Sequence, residues 1–327
     1  MKQTLRLLLF ILSGIVISGC AAKDIRTQNA TPLTYLSETS GGLGIKHHEP
    51  AFIVNGGDAF NRIGMPSATQ EEAGSKAEVF VDENRPAMYF LEKTFKTSKA
   101  SYKNYAYRVH FKGIPFSILP FHLTYGKNTG IMVVVTTDMD DNPLLVTTVH
   151  TCGCYRATVP TTHLDPSYLP DKWTGQPLDV FGETLPGILD FKGKENPQLV
   201  VNVRKDTHRI TGLSVVENGT FIQANDNWLS LPVLQMERLE ALDTGFGTTS
   251  FYYEKGWKKG FVKGSEKIWE TLLMGVVSCD FYVGTDKIYG EGLKTSTRFY
   301  TSLKFWNRKK SDMWDFATFL KYWGWKL

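Results

Sequence analysis

The stretch Leu144–Tyr155, LLVTTVHTCGCY, holds the residues best suited to chemistry: one imidazole and two thiols in a His-x-Cys-x-Cys run. Val146, Thr147, Thr148 and Val149 are β-branched and follow two leucines, a composition that predicts a strand. Side chains alternate between the two faces of a strand. Val146, Thr148, His150, Cys152 and Cys154 therefore share one face for as long as the strand continues. Thiolate sulfur and imidazole nitrogen are donors that zinc and copper prefer. His150, Cys152 and Cys154 are thus candidate metal ligands, with His163, His110 or His122 completing the shell. Ligands two residues apart in a strand stand roughly 6.5–7 Å apart at the backbone, and Gly153 lets the chain bend so that they meet. The same bend can also end the alternation.

Two other chemistries use the same thiols. A Cys-Gly-Cys disulfide closes a very small ring, is strained, and is easily reduced. A free thiolate with a histidine base beside it is a nucleophile, which makes a thiol-dependent enzyme the second reading of the site. The sequence has no Gly-rich phosphate loop, no G-x-S-x-G elbow, no C-x-x-C-H haem site and no H-E-x-x-H pair, so no nucleotide or haem cofactor is expected. Asp138, Asp140 and Asn142 have the alternate spacing of a calcium loop. Pro143 stands where that loop needs glycine and Val149 where it needs glutamate, so the segment reads as a hairpin turn.

The N-terminus explains the fourth cysteine. Lys2 and Arg6 precede an apolar run, Leu7–Ile17, too short to span a bilayer comfortably, and Ile17-Ser18-Gly19-Cys20 follows. This order of regions resembles the bacterial lipoprotein signal. The resemblance covers the signal segment only. It implies removal of residues 1–19, palmitate and related acyl chains on Cys20, and a membrane partner reached through that lipid. Ala21, where an Asp would hold the protein at the inner membrane, implies the periplasmic face of the outer membrane. Loss of Met1–Gly19 removes two cations and no acid, so the net charge falls from +4 to +2. A balance this near zero gives no ground for a nucleic-acid partner. With Cys20 acylated, Cys152, Cys154 and Cys279 remain, an odd number for an oxidising compartment.

The elements that must position the thiols divide the chain. Residues 20–50 are polar and read as a flexible tether. Residues 51–230 read as β-rich: strands are expected over Ala77–Asp82, Tyr102–Phe111, Ile131–Thr137, Pro143–His150 and Leu199–Arg204, with a hairpin at Asn218-Gly219. In Tyr102–Phe111, His110 falls on the face shared with Arg108. Residues 231–327 read as helical and aromatic, with helices over Leu231–Asp243, over Glu266–Val277 and from Ser311 onward. Ile268, Trp269, Leu272, Leu273 and Val276 form the apolar face of the second. From Gly292 to Leu327 there are eight basic and two acidic residues. The expected arrangement is an aromatic layer packed on the sheet with its lysines in water; the alternative is an amphipathic surface for a membrane or an envelope partner.

The fold expected is α+β, a mostly antiparallel sheet followed by a helical C-terminal layer, with residues 231–327 either separate or part of one compact unit. The function expected is an envelope lipoprotein with a His/Cys metal or redox site. A thiol enzyme at that site and a non-catalytic scaffold binding a partner through its aromatic C-terminal region are the alternatives.

Overall fold

The structure, a computed structural model, describes residues 31–37, 48–194, 196–225, 227–290 and 299–327. Its strands in chain order are β1 (Leu33–Leu36), β2 (Ala51–Val54), β3 (Ile63–Thr69), β4 (Glu78–Asp82), β5 (Met88–Lys96), β6 (Ser101–Ile114), β7 (Gly126–Thr137), β8 (Pro143–His150), β9 (Ala157–Pro160), β10 (Leu178–Val180), β11 (Glu183–Leu185), β12 (Pro197–Val203), β13 (Ile210–Glu217), β14 (Leu229–Ser230), β15 (Val233–Gln235), β16 (Leu242–Asp243) and β17 (Thr248–Thr249). The strong apolar runs form the expected strands. Ile131–Thr137 lies in β7 and pairs antiparallel with β8 around the Asp138–Asn142 turn. Asp138 organises that turn by accepting the N–H groups of Asp140 and Asn142, both at 2.9 Å.

Two sheets face each other. The larger has the order β15-β5-β6-β7-β8-β9, with β3 bonded to both β6 and β4; the smaller has the order β13-β12-β2-β1-β14. The core between them joins Tyr35, Phe52, Leu199 and Val201 of the small sheet to Phe90, Tyr107, Val109, Ile131, Val133 and Val146 of the large one. The opposite face of the large sheet is covered as well. Tyr89, Ala106, Met132, Val134, Leu145 and Val149 pack there against Leu239, Phe251, Val262, Phe299, Phe316 and Phe319 of the C-terminal region. Coverage on both faces explains why β7 and β8 are apolar almost without alternation.

The C-terminal layer corrects the expected fold class. Strand makes up 39% of the described residues and helix 15%, so the fold is mostly β and the layer is built largely from turns and short irregular pieces. Three α-helices lie among the described residues: Asn218–Ala224, Ile268–Ser278 and Phe316–Tyr322. The helix expected over Leu231–Asp243 does not form as an α-helix; only Met236–Glu240 makes a short 3-10 helix there. Val233–Gln235 instead commits its backbone to the large sheet, pairing in parallel with Met88–Phe90. The last helix starts only at Phe316, where Asp315 accepts the N–H of Thr318. Asn218-Gly219 opens a helix rather than a turn, because β13 pairs back onto β12 from Pro197↔Glu217 to Val203↔Ile210. Within the stretch read as tether, Leu33–Leu36 forms β1 between β2 and β14, with Tyr35 buried. The segment carrying Cys20 lies outside the described residues. No helix among the described residues is long and apolar enough to cross a membrane.

Candidate functional site

β8 ends at His150, and the thiols lie in the turn that follows. The N–H of Gly153 donates to His150 O at 2.7 Å, and the N–H of His150 donates to Cys154 O at 3.0 Å. Gly153 has φ +93°, and a Cβ there would overlap the carbonyl oxygen of Tyr300. Only glycine combines that backbone angle with that close approach. Strand alternation therefore stops before Cys152, and the shared face expected for His150, Cys152 and Cys154 does not form.

The histidines disperse. His150 is paired with Ile131, whose side chain belongs to the core between the sheets. Its Nε2 is 3.0 Å from His208 O, and its ring lies against Tyr155. His110 is paired with Gly130, one step along β7 from Ile131, so it projects to the opposite face of the same sheet. There its Nε2 accepts a hydrogen bond from Arg108 Nε at 2.9 Å. His122 places Nδ1 2.9 Å from Pro115 O, and half-buried His163 sits in the loop after β9, its N–H donating to Thr161 Oγ1. Burial holds His150 and His110 well below the usual imidazole range, reinforced by Lys267 and Arg108 respectively. The shell drawn from the sequence is thus not assembled, and among the described residues no three His, Cys, Asp or Glu side chains converge as a metal shell.

A different set of groups surrounds the thiols. Cys152 is 2% exposed and Cys154 is half-buried. Cys152, Cys154 and Cys279 are all free, and Cys279 is exposed at the end of the Ile268–Ser278 helix. Cys154 Sγ donates to Glu270 Oε1 at 3.4 Å. Glu270 is buried, and its Oε2 has no hydrogen-bond partner among the described residues. Glu270 lies in the first turn of the helix whose N-cap is Lys267, and a spacing of three brings both side chains to one face. Lys267 Nζ pairs with Asp286 Oδ2 at 3.1 Å, each side chain 1% exposed. Thr151 Oγ1 donates to the other Asp286 oxygen, and Lys287 Nζ donates to Cys152 O. Gly284, with φ +78°, brings backbone so close to Glu270 that a Cβ would overlap the carboxylate.

The charges bias the two sulfurs differently. Interaction with the adjoining Cys154, aided by Lys267, holds the Cys152 thiol below its ordinary value against the cost of burial. Cys154 is pushed well up by its interaction with Cys152 and by burial. Burial disfavours the Lys267 ammonium, but Asp286, Cys152 and Glu270 outweigh it and keep the cation. Both sulfurs line a cavity of about 180 Å³, together with Tyr155, Phe181, Tyr300, Leu303 and Trp323.

Lys267, Glu270, Asp286 and Lys287 escaped the sequence reading. Their signals are weak but present. Lys267 and Glu270 are polar at helical spacing in an otherwise apolar helix, and Thr285-Asp286-Lys287 interrupts an apolar stretch. No family model, no curated protein and no solved structure matches this chain, so the chemistry of the site itself is the ground for a functional reading.

Proposed function

We propose that the protein is an envelope lipoprotein whose Cys152 and Cys154 form a redox-active dithiol acting on disulfide substrates. The observation that carries this reading is the 3.4 Å contact between the Cys154 thiol and Oε1 of buried Glu270, whose Oε2 has no hydrogen-bond partner among the described residues, at the wall of a cavity. A carboxylate there accepts the thiol proton as attack begins, and a thiolate is the nucleophile in disulfide exchange.

Cys154, the more exposed sulfur, attacks one sulfur of the substrate disulfide while its proton passes to Glu270 Oε1. The substrate S–S bond breaks, one substrate thiolate leaves, and a mixed disulfide forms on Cys154. Cys152, whose ionisation the nearby Lys267 favours, gives its proton to the departed substrate thiolate and attacks Cys154 Sγ. The second substrate sulfur leaves with the proton from Glu270. Two electrons have moved from the protein dithiol to the substrate, and the strained Cys152–Cys154 disulfide remains.

The test is mass spectrometry of the trapped protein across glutathione redox buffers. Wild type is expected to interconvert between dithiol and intramolecular disulfide. Cys152→Ser is expected to accumulate a mixed disulfide on Cys154, and Glu270→Gln to slow its formation by about a hundredfold or more at neutral pH. A pair that stays oxidised or stays unreactive across all buffers overturns the reading. So does stoichiometric zinc or copper that is lost in the double Cys152→Ser, Cys154→Ser variant, which would return the site to metal binding. The lipoprotein part is tested separately. The mature wild-type N-terminus is expected to carry acyl chains on Cys20, and Cys20→Ala to remain unprocessed. A mature N-terminus without lipid overturns it.

A further inference from the structure

The Ile268–Ser278 helix turns the wrong way for a core helix. Its buried residues are Glu270, Gly275 and Ser278. Its apolar residues point outward: Ile268 is 70% exposed, Leu272 65%, Val276 86% and Val277 76%, and Phe281 just beyond the helix is 86% exposed. The ridge continues past both ends. Near the N-terminus the ring of Trp269 contacts Phe121 at the end of a loop that exposes Ile118 and Leu119. Near the C-terminus Arg308 Nη2 donates to Ser278 O at 2.6 Å, which brings in the segment exposing Phe305 and Trp306. A contiguous exposed apolar surface of this kind marks an interaction site.

We infer that this ridge docks the protein onto the surface of an anionic lipid bilayer, independently of any N-terminal anchor and of the thiol chemistry. Charge and shape both favour lipid as the occupant. Between Thr301 and Ser311 the chain carries Lys304, Arg308, Lys309 and Lys310 and no acid, so cations border the apolar ridge as they do on interfacial helices. The apolar side chains protrude. At 65–86% exposure they stand clear of their neighbours rather than lining a groove, whereas protein partners seat anchor residues in formed pockets. A fluid acyl boundary accepts such protrusions, with lysine stems reaching up to the headgroups.

The experiment uses the full chain on phosphatidylcholine vesicles with and without phosphatidylglycerol, read by quenching of tryptophan fluorescence by brominated acyl chains. Whatever the N-terminus contributes is the same in every variant. Wild type is expected to be quenched on the anionic vesicles, with added salt reversing part of the effect. Neutralising Lys304, Lys309 and Lys310 to Gln is expected to weaken the docking equilibrium about fivefold for each lysine. The pair Leu272→Glu, Val276→Glu is expected to remove most of the quenching while leaving the thermal midpoint unchanged, since both positions are solvent-exposed. Quenching as strong in the Glu variant as in wild type overturns the proposal. So does a wild-type protein that is never quenched, or one that self-associates without vesicles and becomes monomeric in the Glu variant, which would assign the ridge to a second copy of the chain.

Discussion

Gly153 fixes where the two sulfurs go. Its positive φ closes the His150–Cys154 turn, and its missing side chain admits the Tyr300 carbonyl. Gly153→Ala adds the left-handed penalty of about 1–2 kcal/mol and a clash with backbone that has no flexible end to retreat. The expected outcome is a lower unfolding midpoint in denaturant together with accelerated alkylation of Cys152, which is now 2% exposed. Unchanged alkylation would mean that the turn does not shield the sulfur. The sequence made the thiols and the bend legible, because both are local. It placed His150 with them because alternation along a strand holds only while the strand lasts, and nothing in the residues themselves marks His150 as its end. It also placed His110 away from the apolar side; the structure buries that side too, beneath a layer drawn from the last hundred residues.

The Ile268–Ser278 helix shows what periodicity can and cannot decide. The 3.6-residue spacing found the helix and its apolar stripe, but the stripe faces out. The deciding interactions are non-local: Lys267 finds Asp286 and Glu270 finds Cys154. An ion pair buried to 1% on each side depends on both members being present. Lys267→Met leaves Asp286 charged and uncompensated in the interior, a loss of about 3–5 kcal/mol in buried pairs. The expected result is a corresponding fall in unfolding free energy, largely recovered in the double variant Lys267→Met, Asp286→Asn. If the single and double variants are equally destabilised, the pair is not what orients the helix, and the inward turn of its polar face needs another cause.

At the scale of the whole molecule, the central hairpin and the flanking strands were readable because β-branched runs and turn residues agree locally. The covering of the large sheet was not, since it depends on contacts between residues more than a hundred positions apart. One consequence is that imidazoles lie in layers no sequence pattern marks as interior. His150 and His208 sit where the small sheet meets the large one, linked by His150 Nε2 to His208 O, and His208 Nε2 reaches Phe60 O at 2.8 Å. Burial pushes His208 down to about 3 and holds His150 well below the usual range. The unfolded chain titrates both near 6.5. Between the unfolded and folded values the unfolded state binds more protons, so stability is complete above pH about 6.5 and falls as the pH drops below it. Each such imidazole contributes a slope of about 1.4 kcal/mol per pH unit. The interval from pH about 6.5 to 5 isolates them, because carboxylates begin to titrate below it. His208→Asn keeps a donor and suits the positive φ of that position, since asparagine tolerates the left-handed region better than most residues. Urea unfolding across this interval is expected to show a shallower pH dependence for His208→Asn than for wild type, by about one imidazole's slope. Identical slopes would mean that His208 takes up its proton in the folded state, and that the junction of the two sheets is open to water at that point.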